Sequence, residues 1–233
     1  MIVSAPIASA RVSFSLLDGV TSTFRPAALA SCRAHIDTPP VPSNSYLAQR
    51  LARLGIGVAN AGISGARLLG DRMGANALAR FEQDVLSQPG VETVIVLMGI
   101  NDIGWPGSPF APAAAQITAD ELIAGYRQLA AAAHARKLRI VGATMPPFEG
   151  ALQGTPFEGH YSPAKDALRR AVNAWIRHGG AFDAVADFDA VTRDPQHPSR
   201  LLPACDSGDH LHPGDAGYRA MADALELRTL FRP

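Results

Sequence analysis

Strand-sized apolar runs recur along the chain at VSFSLL (12 to 17), IGVAN (56 to 60), TVIVLMG (93 to 99), RIVGATM (139 to 145) and AVADFD (184 to 189). The middle runs carry almost no polar residue, as expected of strands covered on both faces. Between them, NSYLAQRLARLG (44 to 55), ANALARFEQDVLSQPG (75 to 90), ADELIAGYRQLAAAAHARKL (119 to 138) and SPAKDALRRAVNAWIRHGG (162 to 180) repeat apolar residues three and four apart and end near glycine or a basic turn. A further helical pattern follows His212, with Tyr218, Met221, Ala222 and Leu225 on one face and Pro213 suited to the first turn. Strands alternating with helices predict an α/β three-layer sandwich whose central sheet of about five strands is mostly parallel. A chain of 233 residues can bury one core of this kind, so residues 1–233 are expected to form one domain. In such a sheet the loops after the strand carboxyl ends share one rim, and ligands bind there.

Charge narrows the partners. Lysine plus arginine and aspartate plus glutamate both number 21, so there is no basic field for nucleic acid or an anionic membrane, and a small molecule is expected. No apolar run is long enough to span a membrane, and the opening MIVSAPIASARV lacks the basic start of an export signal. The reading is a soluble protein, cytoplasmic or exported. Cys32 and Cys205 stand in no metal-like spacing and are either free thiols or one bridge.

The predicted rim carries several candidates. Asn101 and Asp102 in GIND (99 to 102) directly follow a buried strand, where an asparagine can aim its amide at a ligand or simply form a turn. In NAGISG (60 to 65), Gly62 and Gly65 free the backbone for a close approach, although the stretch lacks the spacing of a phosphate-binding loop. In DHLHP (209 to 213), Asp209 precedes His212 by three residues, a spacing that can set a carboxylate against imidazole Nδ1 while Nε2 acts as a general base. The competing readings are a capped helix start with solvated histidines and a metal site using His210 and His212. Metal is disfavoured because no further ligand cluster stands nearby. DFDAV (187 to 191) mimics the Asp-x-Asp start of a phosphatase, with Asp187 as its nucleophile, but lies near the end of the chain rather than at its start.

NAGISG, GIND and DHLHP, in this order, resemble the glycine, Gly-x-Asn-Asp and Asp-x-x-His-Pro blocks of the SGNH, or GDSL-like, serine hydrolases. The intervening sequence is similar to the bacterial lipase/acylhydrolase branch with arylesterase-like and acetylxylan-esterase-like members. The resemblance implies a flavodoxin-like fold, no cofactor, His212 as base and Asp209 as its orienter. It also implies that the Gly65 amide and the Asn101 side chain donate to an oxyanion. The family's first block is Gly-Asp-Ser with a glycine four positions after the serine. Ser15 stands four before Gly19, whereas Ser13 and Ser22 do not fit, so Ser15 is the candidate nucleophile and its N–H the third donor. Here Ser13-Phe14 occupy the place of Gly-Asp.

The implied reaction is hydrolysis of short-acyl esters, aryl or carbohydrate-linked, through an acyl-enzyme. The alternative is a family member that binds such a ligand without turnover. Two long segments complete the picture. Residues 22 to 44, with Pro39, Pro40 and Pro42, lack periodicity and are expected to form a loop at the rim or a disordered connection. Residues 146 to 163 carry Phe148, Phe157, His160 and Tyr161; Phe148, Phe157 and Tyr161 are candidate walls of a substrate pocket, the other reading being a solvated loop with incidental aromatics.

Overall fold

The computed structural model describes residues 2–6, 10–16, 43–109 and 111–231. Eight helices and six strands occur among them: β1 (Ile2–Pro6), β2 (Ala10–Leu16), α1 (Ser43–Ala52), β3 (Gly57–Asn60), α2 (Ala77–Phe81), β4 (Val91–Val96), α3 (Ile100–Gly104), α4 (Ala119–Ala135), β5 (Arg139–Ala143), α5 (Pro163–His178), β6 (Ala184–Ala186), α6 (Phe188–Thr192), α7 (Asp215–Asp223) and α8 (Leu227–Leu230). A π-helical turn, Glu82–Leu86, extends α2, and a short 3₁₀ turn spans Pro203–Cys205.

Strands β2, β4, β5 and β6 are parallel neighbours in that order, and β1 runs antiparallel to β2. The mostly parallel sheet expected from the apolar runs is present, with four of the five runs in it; β3 is not among its paired strands, and β1 is the fifth. The register Leu16↔Val96↔Gly142↔Val185 aligns the strand carboxyl ends. The backbone of Ser15 pairs with Ile95 one step before that rim.

Apolar side chains of β4 and β5 are buried on both sides, with Val94, Ile95, Val96, Ile140 and Val141 all enclosed. They meet Leu122, Tyr126, Leu129 and Ala133 from α4, Val172 and Ile176 from α5, and Tyr218, Met221 and Ala222 from α7. Each such large side chain contributes about 1.5–3 kcal/mol on leaving water. Thr118 and Glu121 form a reciprocal capping box that starts α4, and Ser162 caps α5 with Pro163 behind it.

Strand β1 falls on residues to which the sequence reading assigns no element, and two expectations are corrected. AVADFD is divided, because Asp187 caps Ala190 and starts α6 after a strand of three residues. Pro213 does not open the last long helix; it pairs with Asp206 in an isolated antiparallel bridge, and α7 begins after Gly214, whose N–H donates to Cys205 O at 2.7 Å. The segment 22 to 44 lies outside the described residues up to position 42, and α1 starts at Ser43.

Candidate active site

After β4 the chain turns through Gly99, whose φ of +104° is open to glycine, directly into α3. This places Asn101 and Asp102 in the first turn, both buried. The two residues act on the same neighbouring loop. Asn101 Nδ2 donates to Ala66 O at 3.1 Å, and its second amide hydrogen has no partner among the described residues. The Asp102 carboxylate accepts the N–H groups of Leu68 (2.7 Å) and Leu69 (3.0 Å). Burial pushes the Asp102 carboxyl up to about 6, against the opposing pull of these two N–H groups.

The loop so fastened carries Gly65 at φ +73°. A Cβ there would come within 2.7 Å of Met73 Cγ and 3.3 Å of Trp105. Conformation and space both require glycine. Gly65 and Asn101 are therefore brought together through Ala66, and Asp102 is the fastener. Sequence reasoning left Asp102 as a turn residue, since nothing in the four letters GIND reveals which distant amides a carboxylate will meet.

Residues 205–214 form a folded-back loop tied by Ser207 N→His212 O (3.1 Å) and Gly214 N→Cys205 O. Within it, His212 Nδ1 lies 2.5 Å from Asp209 Oδ2. The other carboxylate oxygen accepts the N–H groups of Leu211 (2.9 Å) and His212 (2.8 Å) and the Ser207 hydroxyl (3.0 Å). Burial alone would raise the Asp209 pKa, but the bond to His212, its charge and these N–H groups outweigh burial and hold the carboxyl well below the usual range. The pair is thus an ionised carboxylate fixing the tautomer and tilt of an imidazole that keeps about a third of its side chain exposed, at 34%. The Asp209 carbonyl in turn accepts Leu152 N–H at 2.9 Å, so the 146–163 segment straps this loop.

Lys165, in the first turn of α5, donates through Nζ to Gly104 O and Gly159 O, both at 2.8 Å, joining α3 to that segment. His160 is buried against Gly104, where a Cβ would lie 2.1 Å from Nε2, and burial drives its pKa down to about 4, leaving it neutral. Of the three aromatics expected as walls, Tyr161 lines the neighbouring cavity. Phe148, by contrast, is 0% exposed and packs edge-on against Tyr161 (5.2 Å between centroids) and His160 (6.2 Å). Phe148 supports the wall from within rather than forming it. Phe157 is half-buried and is not part of that cavity lining.

Other candidates fall elsewhere. Asp187 accepts Arg177 and Thr144 besides capping α6, a carboxylate committed to structure rather than free for phosphoryl attack. Among the described residues no group of three or more His, Cys, Asp or Glu is placed to hold a metal. Cys205 is a buried free thiol, and Cys32 lies outside the described residues. Ser15 is described only as backbone, and Ser22 lies outside the described residues. No described helix is long and apolar enough to cross a membrane.

The sequence profile of the GDSL-like lipase/acylhydrolase family matches residues 15–220. No curated protein matches the sequence. Among solved structures, the fold is similar to a variant of an acetyl xylan esterase from Geobacillus stearothermophilus, 24% identical over 94% of this chain and 93% of that one, with a TM-score of 0.60. A second structure of that esterase, described as a catalytic mutant in which a serine is replaced by alanine, is 22% identical over 94% and 93% of the two chains, with a TM-score of 0.60. A lipolytic protein assigned to the G-D-S-L family from Desulfitobacterium hafniense DCB-2 is 15% identical over 91% of this chain and 95% of that one, with a TM-score of 0.59.

Proposed function

Because the chain belongs to the GDSL-like lipase/acylhydrolase family, we propose that it hydrolyses short-acyl carboxylic esters, aryl or carbohydrate-linked, through an acyl-enzyme on Ser15. The observation that carries this reading is the Asp209–His212 pair, 2.5 Å apart and rigidly held, on a loop separate from the fastened Gly65–Asn101 unit. Support for the serine comes from the family match, which begins at residue 15, and from the backbone of Ser15 at the carboxyl end of β2. In the similar esterase from Geobacillus stearothermophilus, too, the catalytic mutant is one that replaces a serine by alanine.

In the first half-reaction the Ser15 hydroxyl adds to the ester carbonyl and His212 Nε2 takes its proton. Asp209, already ionised, stabilises the imidazolium through Nδ1. The tetrahedral oxyanion receives the N–H groups of Ser15 and Gly65 and the spare Asn101 amide hydrogen, each such donor typically contributing about 3 kcal/mol. His212 returns the proton to the departing alcohol, leaving the acyl group on Ser15. Water then repeats the sequence, with His212 again accepting and returning one proton, and releases the acid.

A fluorophosphonate probe followed by peptide mapping tests this directly. The expected result is one covalent tag, on Ser15, lost in His212→Ala. A tag on Ser13 or Ser22 would move the nucleophile. A second reading is favoured by Ser13-Phe14 standing where the family has Gly-Asp: a protein that binds the ester without cleaving it. That reading requires 4-nitrophenyl acetate turnover no faster than in Ser15→Ala.

A further inference from the structure

Three residues before the Asp209–His212 pair, the same loop builds a second one. His210 Nδ1 lies 2.5 Å from Asp206 Oδ2, and Asp206 Oδ1 accepts the N–H groups of Gly208 (2.9 Å) and His210 (3.1 Å). The arrangement repeats that of Asp209: one carboxylate oxygen holds the backbone and the other holds Nδ1. His210 reaches it with φ at +59°, a conformation that non-glycine residues rarely take. Its ring also rests against Gly150, where a Cβ would lie 3.3 Å from Cδ2. The imidazole is therefore fixed on three sides, yet its side chain is 53% exposed and Nε2 has no hydrogen-bond partner among the described residues.

His210 and Asp206 line a cavity of about 1270 Å³ between the 149–161 and 194–210 segments. Tyr161 contributes an aromatic wall, and apolar surface comes from prolines, Ala151 and Leu201. The lining holds four carboxylates (Glu149, Glu158, Asp194 and Asp206) against the guanidinium of Arg200 and the imidazoles of His197 and His210. Arg200 is itself engaged by Glu149 at 2.9 Å through Nε. Such a wall disfavours an anionic ligand. It suits a neutral molecule that offers hydroxyl groups to carboxylates and imidazole and a ring face to tyrosine.

We propose that this cavity takes the alcohol portion of the ester, a neutral polyhydroxylated alcohol of the sugar class, and that His210, oriented by Asp206, is the residue that selects it. This inference rests on the ester-hydrolase reading and deepens it. With Nδ1 engaged by Asp206, His210 keeps Nε2 for a hydrogen bond with a ligand hydroxyl, which can both donate and accept. The leaving alcohol would then be held two residues along the chain from the imidazole that must reprotonate it.

The test compares a monoacetylated methyl pentopyranoside with 4-nitrophenyl acetate, for the unsubstituted chain, His210→Ala and His210→Gln, with thermal midpoints measured alongside. Loss of one ligand hydrogen bond corresponds to about a tenfold loss of affinity. We expect kcat/KM for the pentoside to fall about tenfold in His210→Ala, mainly through KM, and at least fivefold more than for the nitrophenyl ester. His210→Gln, which keeps an acceptor, should recover part of the loss, and it carries the test if the alanine variant does not fold. Equal losses on both esters would make His210 a support of the His212 loop, and no loss on either would leave the cavity without this role; each outcome overturns the proposal. Absence of turnover of both esters by the unsubstituted chain would instead remove the hydrolase reading itself, and the leaving-group subsite with it.

Discussion

Replacing Asp102 by asparagine should change how stability depends on pH, in a direction that burial dictates. In the unfolded chain this carboxyl titrates at its ordinary 3.8, and in the folded protein near 6, because the group is enclosed beside α3. Between these values the folded state keeps a proton that the unfolded state has released, so its contribution is fully present below pH 3.8 and lost as pH rises through 6. The displacement from 3.8 to about 6 corresponds to about 3 kcal/mol. Asparagine does not titrate. It keeps one acceptor for Leu68 or Leu69 and turns an NH₂ toward the other N–H, a cost of about 1–3 kcal/mol that is independent of pH. The stability advantage of the unsubstituted protein over Asp102→Asn should therefore shrink by about 2.5 kcal/mol between pH 4 and pH 7.5, other titrating groups cancelling in the comparison. Urea unfolding at four pH values across that interval measures it. A difference that stays constant or grows with pH would mean that the two backbone N–H groups, not burial, govern this carboxyl, and the argument for a strained fastener would fail.

Other substitutions address the remaining parts of the site. Asp209→Asn should lower kcat for 4-nitrophenyl acetate by roughly 10³- to 10⁴-fold with little change in KM, since it removes the acceptor that fixes the imidazole tautomer. The stability lent by Asp209 is present above the ordinary carboxylate pKa and lost only as pH falls below it; acid unfolding of the unsubstituted chain and Asp209→Asn should converge there. Gly65→Ala should cost about 1–3 kcal/mol in chemical unfolding, because alanine at φ +73° is strained and crowds Met73. Away from the site, Arg169→Met should cost about 1–3 kcal/mol: it strips a buried guanidinium 2.8 Å from both Asp166 and Asp189, while Arg170 stays on the first and Arg177 and Arg193 on the second.

The sequence made the parallel sheet readable because β4 and β5 are apolar on both faces, a pattern few other structures need. It also made the Asp209–His212 pairing readable, since a spacing of three on a tight loop leaves the carboxylate few other places to go. Contacts made across the fold were hidden. Phe148 looked like a pocket wall because it sits in a glycine-rich loop, yet three-dimensional packing between His160 and Tyr161 encloses it. Asp187, already set aside as a phosphatase mimic by its place in the chain, is held by Arg177 and Thr144, contacts that no sequence signal announced. Pro213 carries the local signature of a helix start, but its pairing with Asp206 holds it in the preceding loop. The role of Lys165 as a tie between Gly104 and Gly159 had no signal at all in a helix that reads as amphipathic.

The segment that walls the cavity with Gly150 and Tyr161 is also the one whose Leu152 amide holds the Asp209 carbonyl, at a residue with φ +57°. On the proposed reading, choice of alcohol and posture of His212 are thereby inherited as one unit. Transplanting this stretch wholesale from a relative would exchange both at once, whereas a graft that spares position 152 and its backbone turn could retailor preference while keeping turnover.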